Sequence, residues 1–168
     1  LGYSLNSTVP SELEEAKELL IKQKKEVNPI YGADEVLDLM RSGEKKIAMI
    51  WSGEGLNLEA EDGKFKYVIP VEGADYWLDS WAIPKDAKNV EGAEKFINFM
   101  CDKDVAFRTA DEIGYTSPQK QAIEEQADEV KNNPNAYMPK EILDKCEGYK
   151  YLNQDELKLY QDVWMEVK

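Results

Sequence analysis

Histidine is absent from this chain of 168 residues. The usual general base near neutral pH is therefore missing, and with it the commonest nitrogen ligand for zinc. Cysteine is scarce. Cys101 and Cys146 lie far apart and outside any CxxC arrangement, and Cys101 falls on the apolar side of a helix-like run, so a metal site is not expected. Basic residues are outnumbered, 21 Lys and Arg against 34 Asp and Glu, for a formal charge of −13. That balance argues against a phosphate-backbone partner, and nucleic acid is not an expected ligand. A negative field would instead concentrate small cations, although a solvated acidic surface is the plainer reading of the same composition. No apolar run is long enough to cross a bilayer. The chain opens Leu1-Gly2-Tyr3 with neither an initiator Met nor a signal peptide, which is expected of a processed or excised piece.

What is present can build a core, since 42% of the residues are hydrophobic. Ser11 and Glu14 have the spacing of a capping box, and Leu13, Ala16 and Leu20 mark one face of a helix over 11–26 that Asn28-Pro29 stops. A shorter helix is predicted over 34–41, with Val36, Leu37 and Met40 at helical spacing and Ser42-Gly43 closing it. Residues 47–51 form a continuous apolar run without alternation, predicting a central parallel strand covered on both faces. Ser52-Gly53-Glu54-Gly55 then reads as a turn at that strand's carboxyl end, where open α/β sheets keep their ligand crevices; a tight strand-to-helix connection is the bland alternative. The spacing and lysine of a phosphate loop are missing there, and no cofactor motif appears elsewhere. Leu56, Leu58 and Ala60 lead into a short helix, Asp62-Gly63 makes a turn, and 65–69 reads as a strand.

Tyr76-Trp77-Leu78-Asp79-Ser80-Trp81-Ala82-Ile83-Pro84 is the most informative stretch, because the period of a strand puts Trp77, Asp79 and Trp81 on one face. Indole faces attract a cation and a carboxylate accepts its N–H bonds, so such a face suits an organic ammonium group. Trp51 and Glu54 form a second tryptophan-carboxylate pair upstream. Core packing and a solvated strand end are the competing structural readings of each pair. After Pro84 the pattern turns helical: Ala93, Phe96, Ile97 and Met100, then Ala106, Ala110 and Ile113 up to Gly114. Tyr115-Thr116-Ser117-Pro118 makes a loop, residues 119–131 are acidic and weakly amphipathic, and Asn132-Asn133-Pro134-Asn135 breaks the chain. A last helix near 155–167 aligns Leu157, Tyr160, Trp164 and Val167. The helices beyond 90 need a sheet to cover, which is expected from an absent amino-terminal part of the protein.

Leu1-Gly2-Tyr3-Ser4, Met49-Ile50-Trp51-Ser52-Gly53, the stretch from Tyr76 to Pro84, Glu91-Gly92-Ala93, Phe96-Ile97-Asn98-Phe99 and Ile113-Gly114-Tyr115-Thr116-Ser117-Pro118 occur in a distinctive order. In that order and spacing the chain resembles the periplasmic spermidine/putrescine-binding proteins of bacterial ABC importers, closely over 1 to about 120. The resemblance implies a partial periplasmic binding protein-like α/β fold of type II, the second half of a two-lobe protein. Residues 1–80 would be part of the second α/β lobe, and 81–168 the crossover and carboxyl-terminal helices that complete the first. Trp51 and Trp77 would be walls for the methylene chain of a polyamine, Asp79 the carboxylate receiving an ammonium group, and Tyr115 a further contact. Glu54 stands where putrescine-preferring members carry an acid. In an ungapped extension back from Tyr160, Lys150 falls where the family has a glutamine; its ammonium would repel a polycation, so either the alignment shifts, with Tyr151 or Gln154 nearby, or this contact is lost, and the position stays outside the expected site.

The implied role is a receptor without chemistry at the periplasmic or extracellular face of the cytoplasmic membrane. Its partners would be a polyamine, an ABC transporter permease and the missing amino-terminal half. The alternative is a carboxylate-dependent enzyme such as a glycoside hydrolase, with Glu54 and Asp79 as its acid/base pair.

Overall fold

The computed structural model describes residues 1–32 and 35–168. Helix α1 runs over Pro10–Val27 and starts on Pro10, whose fixed φ and missing N–H suit the first helical position. The expected Ser11/Glu14 capping box is not formed. Proline moves the start one residue upstream of Ser11, and Glu14 instead meets Lys17 at 2.8 Å. Asn28, in the left-handed region at φ 48°, ends the helix. Helix α2 is Val36–Arg41, and its expected start at Asp34 lies outside the described residues.

Residues 47–51 do not pair as a strand, contrary to expectation. Ile47 is 91% and Met49 99% exposed, and the segment leads directly into α3 (Ser52–Asp62). The predicted Ser52–Gly55 turn is thus the first turn of α3, with Trp51 as its N-cap residue. Residues 65–69 also remain outside any strand, and the stretch beginning at Tyr76 pairs only through β1 (Asp75–Tyr76). A strand is made by its neighbour, because its backbone N–H and C=O groups must be satisfied from outside. Among the described residues these apolar segments find almost no such neighbour.

Beyond Pro84 the helical pattern holds. Helix α4 (Val90–Met100) is capped by Asn89, whose Oδ1 accepts the Gly92 N–H at 3.0 Å. Helix α5 (Lys103–Ile113) is capped by Asp102, buries Ala106 and Ala110, and ends on Gly114 at φ 73°. The acidic run that follows divides into α6 (Lys120–Glu125) and α7 (Asp128–Lys131), with Gln126 buried between them. Helix α8 (Lys140–Leu143) precedes β2 (Glu147–Gly148), which pairs in parallel with β1 in the register Asp75 to Glu147 and Tyr76 to Gly148.

Helix α9 (Gln154–Val167) carries a complete capping box: Asn153 Oδ1 accepts the N–H groups of Asp155 and Glu156 at 3.0 Å, and Glu156 Oε2 accepts that of Asn153 at 2.8 Å. It packs along α1. Lys17 joins the two through Glu166 at 2.7 Å, Lys24 donates to the Val167 carbonyl at 2.9 Å, and Leu13 and Val167 are buried. The Tyr160 hydroxyl lies 3.0 Å from the Leu5 carbonyl and 2.7 Å from that of Ser7, fixing the amino-terminal segment to α9. Asn6 ties the same segment to β2: its Nδ2 donates to Gly148 O at 3.0 Å, and its Oδ1 accepts the Lys150 N–H at 2.8 Å.

Candidate functional site

Three segments deliver aromatic rings to one place. Trp51 stands at the amino end of α3, Trp77 directly follows β1, and Tyr115 directly follows the glycine that ends α5. The Trp51 and Trp77 rings meet edge to face, with centroids 4.9 Å apart and planes at 70°. Trp77 and Tyr115 meet likewise at 6.1 Å and 74°. Both geometries are those that aromatic quadrupoles favour. Trp77 thus lies between the other two rings.

Tyr115 is held from both sides in sequence. Gly114 bonds back to the Ala110 carbonyl at 3.0 Å in a left-handed conformation, which turns the chain off the helix axis. Two residues beyond Tyr115, the buried Ser117 donates its N–H to the Tyr137 hydroxyl at 3.2 Å, and Tyr137 donates to Gln126 Oε1 at 2.6 Å.

The carboxylates follow the rings. Asp79 Oδ2 lies 3.4 Å from the indole nitrogen of Trp77, a long contact. Glu54 sits in the first turn of α3, where the helix dipole favours a negative charge. Both reach Tyr115 electrostatically: its phenol is held above the ordinary value first by burial, then by the charges of Glu54 and Asp79, and last by Tyr67. Among the described residues neither carboxylate forms a salt bridge. All five residues singled out from the sequence, Trp51, Glu54, Trp77, Asp79 and Tyr115, therefore share one neighbourhood. It is open on one side, with Trp51 50% exposed and Asp79 exposed.

Trp81 does not join them. Its ring packs on Phe96 of α4 at 5.2 Å, because the chain leaves the strand conformation after Tyr76 and the period of two no longer aligns Trp81 with Trp77. Lys150 takes part through its backbone, donating to Asn6, while its side chain is solvent-exposed. Tyr67 is a neighbour that the sequence pattern assigned only to a strand. Its ring lies against buried Gly55, its phenol is raised chiefly by burial, and its backbone bonds Glu59 and Asn135, each at 2.9 Å. The Gly53-Glu54-Gly55 spacing leaves room for a ring at each glycine but does not say which ring fills it.

Chemically the cluster offers π faces and two carboxylates, a combination that attracts organic cations bearing N–H groups. Histidine is absent and no cluster of three or more Cys, Asp or Glu suited to a metal occurs among the described residues.

The family model described as bacterial extracellular solute-binding protein matches residues 1–139. The chain belongs to this family. A relative named spermidine/putrescine-binding periplasmic protein, from Salmonella typhimurium, is 34% identical over 168 residues, covering 100% of this chain and 48% of the relative. Among solved structures, a Listeria monocytogenes protein described as a spermidine/putrescine ABC transporter superposes with a TM-score of 0.87 at 35% identity, over 99% of this chain and 51% of that one. The spermidine/putrescine ABC transporter substrate-binding protein PotD of Streptococcus pneumoniae gives 0.82 at 31% identity, over 99% and 53%.

The chain spans about half the length of these solute-binding proteins. The resemblance drawn from the short motifs holds, and so does the partial type II periplasmic binding protein-like fold.

Proposed function

We propose that this chain is the carboxyl-terminal half of a periplasmic receptor that captures putrescine or spermidine for an ABC importer. The observation that carries the reading is the Trp51–Trp77–Tyr115 cluster flanked by the carboxylates Glu54 and Asp79, neither in a salt bridge among the described residues. Relatives named for spermidine and putrescine binding support it.

A polyamine is a flexible chain of methylenes with ammonium groups at its ends. Its capture needs apolar walls that limit the loss of rotamer freedom and anions that hold the ends. Trp51 and Trp77 supply the walls, Asp79 and Glu54 accept ammonium N–H bonds, and Tyr115 adds a further face and a neutral hydroxyl. Cation–aromatic contacts contribute about 0.5–2 kcal/mol each, and hydrogen bonds to a charged group about 1.5–3 kcal/mol. Micromolar affinity requires about 8 kcal/mol net of the ordering costs. The remaining contacts come from the amino-terminal half of the protein. Residues 1–80 then form part of one lobe, 81–168 the crossover and the helices completing the other, and the permease receives the closed, loaded receptor.

The receptor performs no chemistry in this reading. Glu54 and Asp79 act as fixed counter-charges rather than as the acid/base pair of a glycoside hydrolase. Tryptophan fluorescence of the full-length polypeptide, titrated with putrescine, spermidine and a panel of sugars, tests this directly. A saturable response to the polyamines with the ligand recovered unchanged is expected. A response confined to a sugar, or conversion of the ligand, overturns it.

A further inference from the structure

Gly53 is the point where α3 touches Tyr115. A Cβ built on Gly53 lies 2.4 Å from both Cδ2 and Cε2 of the Tyr115 ring and 2.7 Å from Cζ. No side chain heavier than hydrogen fits there unless the ring moves. The contact falls on the body of the ring, and the backbone on either side of Tyr115 is fixed by Gly114 and Ser117. A Cβ at Gly114 meets the Asn57 amide at 2.4 Å, so α5 and α3 are already in close contact one residue before the ring. The ring therefore yields only by turning away from α3 or by parting α3 from α5, and either movement changes its edge-to-face contact with Trp77. Gly53 itself is buried in the first turn of α3 with a backbone that any residue adopts, and alanine is the better helix former. Local conformation gives no reason for glycine here; the ring does.

We infer that Gly53 is a positioning residue for the ligand site: its missing side chain lets Tyr115 lie against α3 and brace Trp77 opposite Trp51. The inference rests on the polyamine reading for its consequence in binding, but not for the packing itself. Because Glu54 is the next residue, the same contact fixes the α3 backbone that carries Glu54, so side-chain size at position 53 governs one ring and one anion together.

The test is a double-mutant cycle of Gly53→Ala and Tyr115→Ala in the full-length polypeptide. Two readouts are followed: putrescine and spermidine affinity, and the circular dichroism arising from the coupled Trp51 and Trp77 indoles without ligand. Gly53→Ala alone is expected to weaken putrescine binding about tenfold and to change the indole signal. In the Tyr115→Ala background it changes affinity less than about twofold and leaves the signal as it was.

Equal effects in both backgrounds, or no effect in either, overturn the inference. If the unmutated protein binds neither putrescine nor spermidine, the polyamine reading falls, and the ligand-free signal still decides whether Gly53 acts through Tyr115. If Gly53→Ala fails to fold, recovery of folding in the double variant supports the contact, and no recovery overturns it.

Discussion

Replacing Asp79 by asparagine keeps the size of the side chain and removes its charge. In the proposed site, that charge is the receptor for one ammonium group. A hydrogen bond to a charged group contributes about 1.5–3 kcal/mol, and the exposure of Asp79 places it toward the lower end through solvent screening. About 1.4 kcal/mol is a factor of ten in Kd, so Asp79→Asn weakens putrescine and spermidine binding by roughly ten- to thirtyfold. The fold has little stake in the charge: Asp79 is exposed, and its hydrogen bond from the Trp77 indole is long at 3.4 Å. Surface changes of this kind stay within about 0.5 kcal/mol, or about 2 °C in Tm. Isothermal titration calorimetry of the two proteins, paired with thermal melts, measures both quantities. A Kd within about twofold of the unmutated protein, at unchanged Tm, refutes the reasoning and removes Asp79 from the site.

Other perturbations reach different parts of the molecule. Glu54→Ser lowers putrescine affinity about fivefold or more and spermidine affinity by less, because a second fixed anion serves the shorter diamine; calorimetry showing equal losses contradicts this. Asn153→Ala removes the cap of α9 and costs about 1 kcal/mol, read as a Tm lower by about 2–4 °C, and an unchanged Tm argues against the capping box. Tyr67, Tyr115, Tyr149 and Tyr160 all have phenols raised above the ordinary 10.0, each chiefly by burial. A pKa raised by folding stabilises the fold fully below the unfolded value and is lost as pH rises through the folded one. Melts at increasing pH should therefore hold level to about pH 10 and then fall as phenolate absorbance appears. A level Tm through that rise in absorbance contradicts the burial of these phenols.

The helices were legible in the sequence because their signals are local. Apolar residues at helical spacing placed α4, α5 and α9, and Gly114 marked the end of α5 correctly. Caps were harder: Pro10 started α1 ahead of the Ser11/Glu14 pair, and α3 began at Ser52, absorbing what looked like a turn. Strands failed for a different reason. Apolar continuity in 47–51 records a residue's preference for being covered, but the ladder partner that would cover it is not local information, and here Met49 stands 99% exposed. The same failure displaced Trp81, which a strand would have set beside Trp77 and which packs on Phe96 instead.

The candidate site was more legible than the sheet. Trp77 and Asp79 are close in sequence, as are Trp51 and Glu54, so each pair stays together whether or not a strand forms. Tyr115 came only through the family resemblance. The fit of Tyr67 against Gly55 was invisible, because a glycine in the sequence does not say which ring occupies the space it leaves.

In the proposed site the polyamine lies against the Trp51 and Trp77 rings, and the four tryptophans of the chain allow that placement to be tested residue by residue. In the full-length polypeptide labelled with nitrogen-15 at the tryptophan indoles, putrescine is titrated while the Nε1–H resonances of these four residues are followed by NMR. The resonances of Trp51 and Trp77 are expected to move in a saturable way, while those of Trp81 and Trp164 shift little, since these rings pack on Phe96 and Tyr31. Saturable shifts confined to Trp81 or Trp164, or no shifts at all, would contradict the claim.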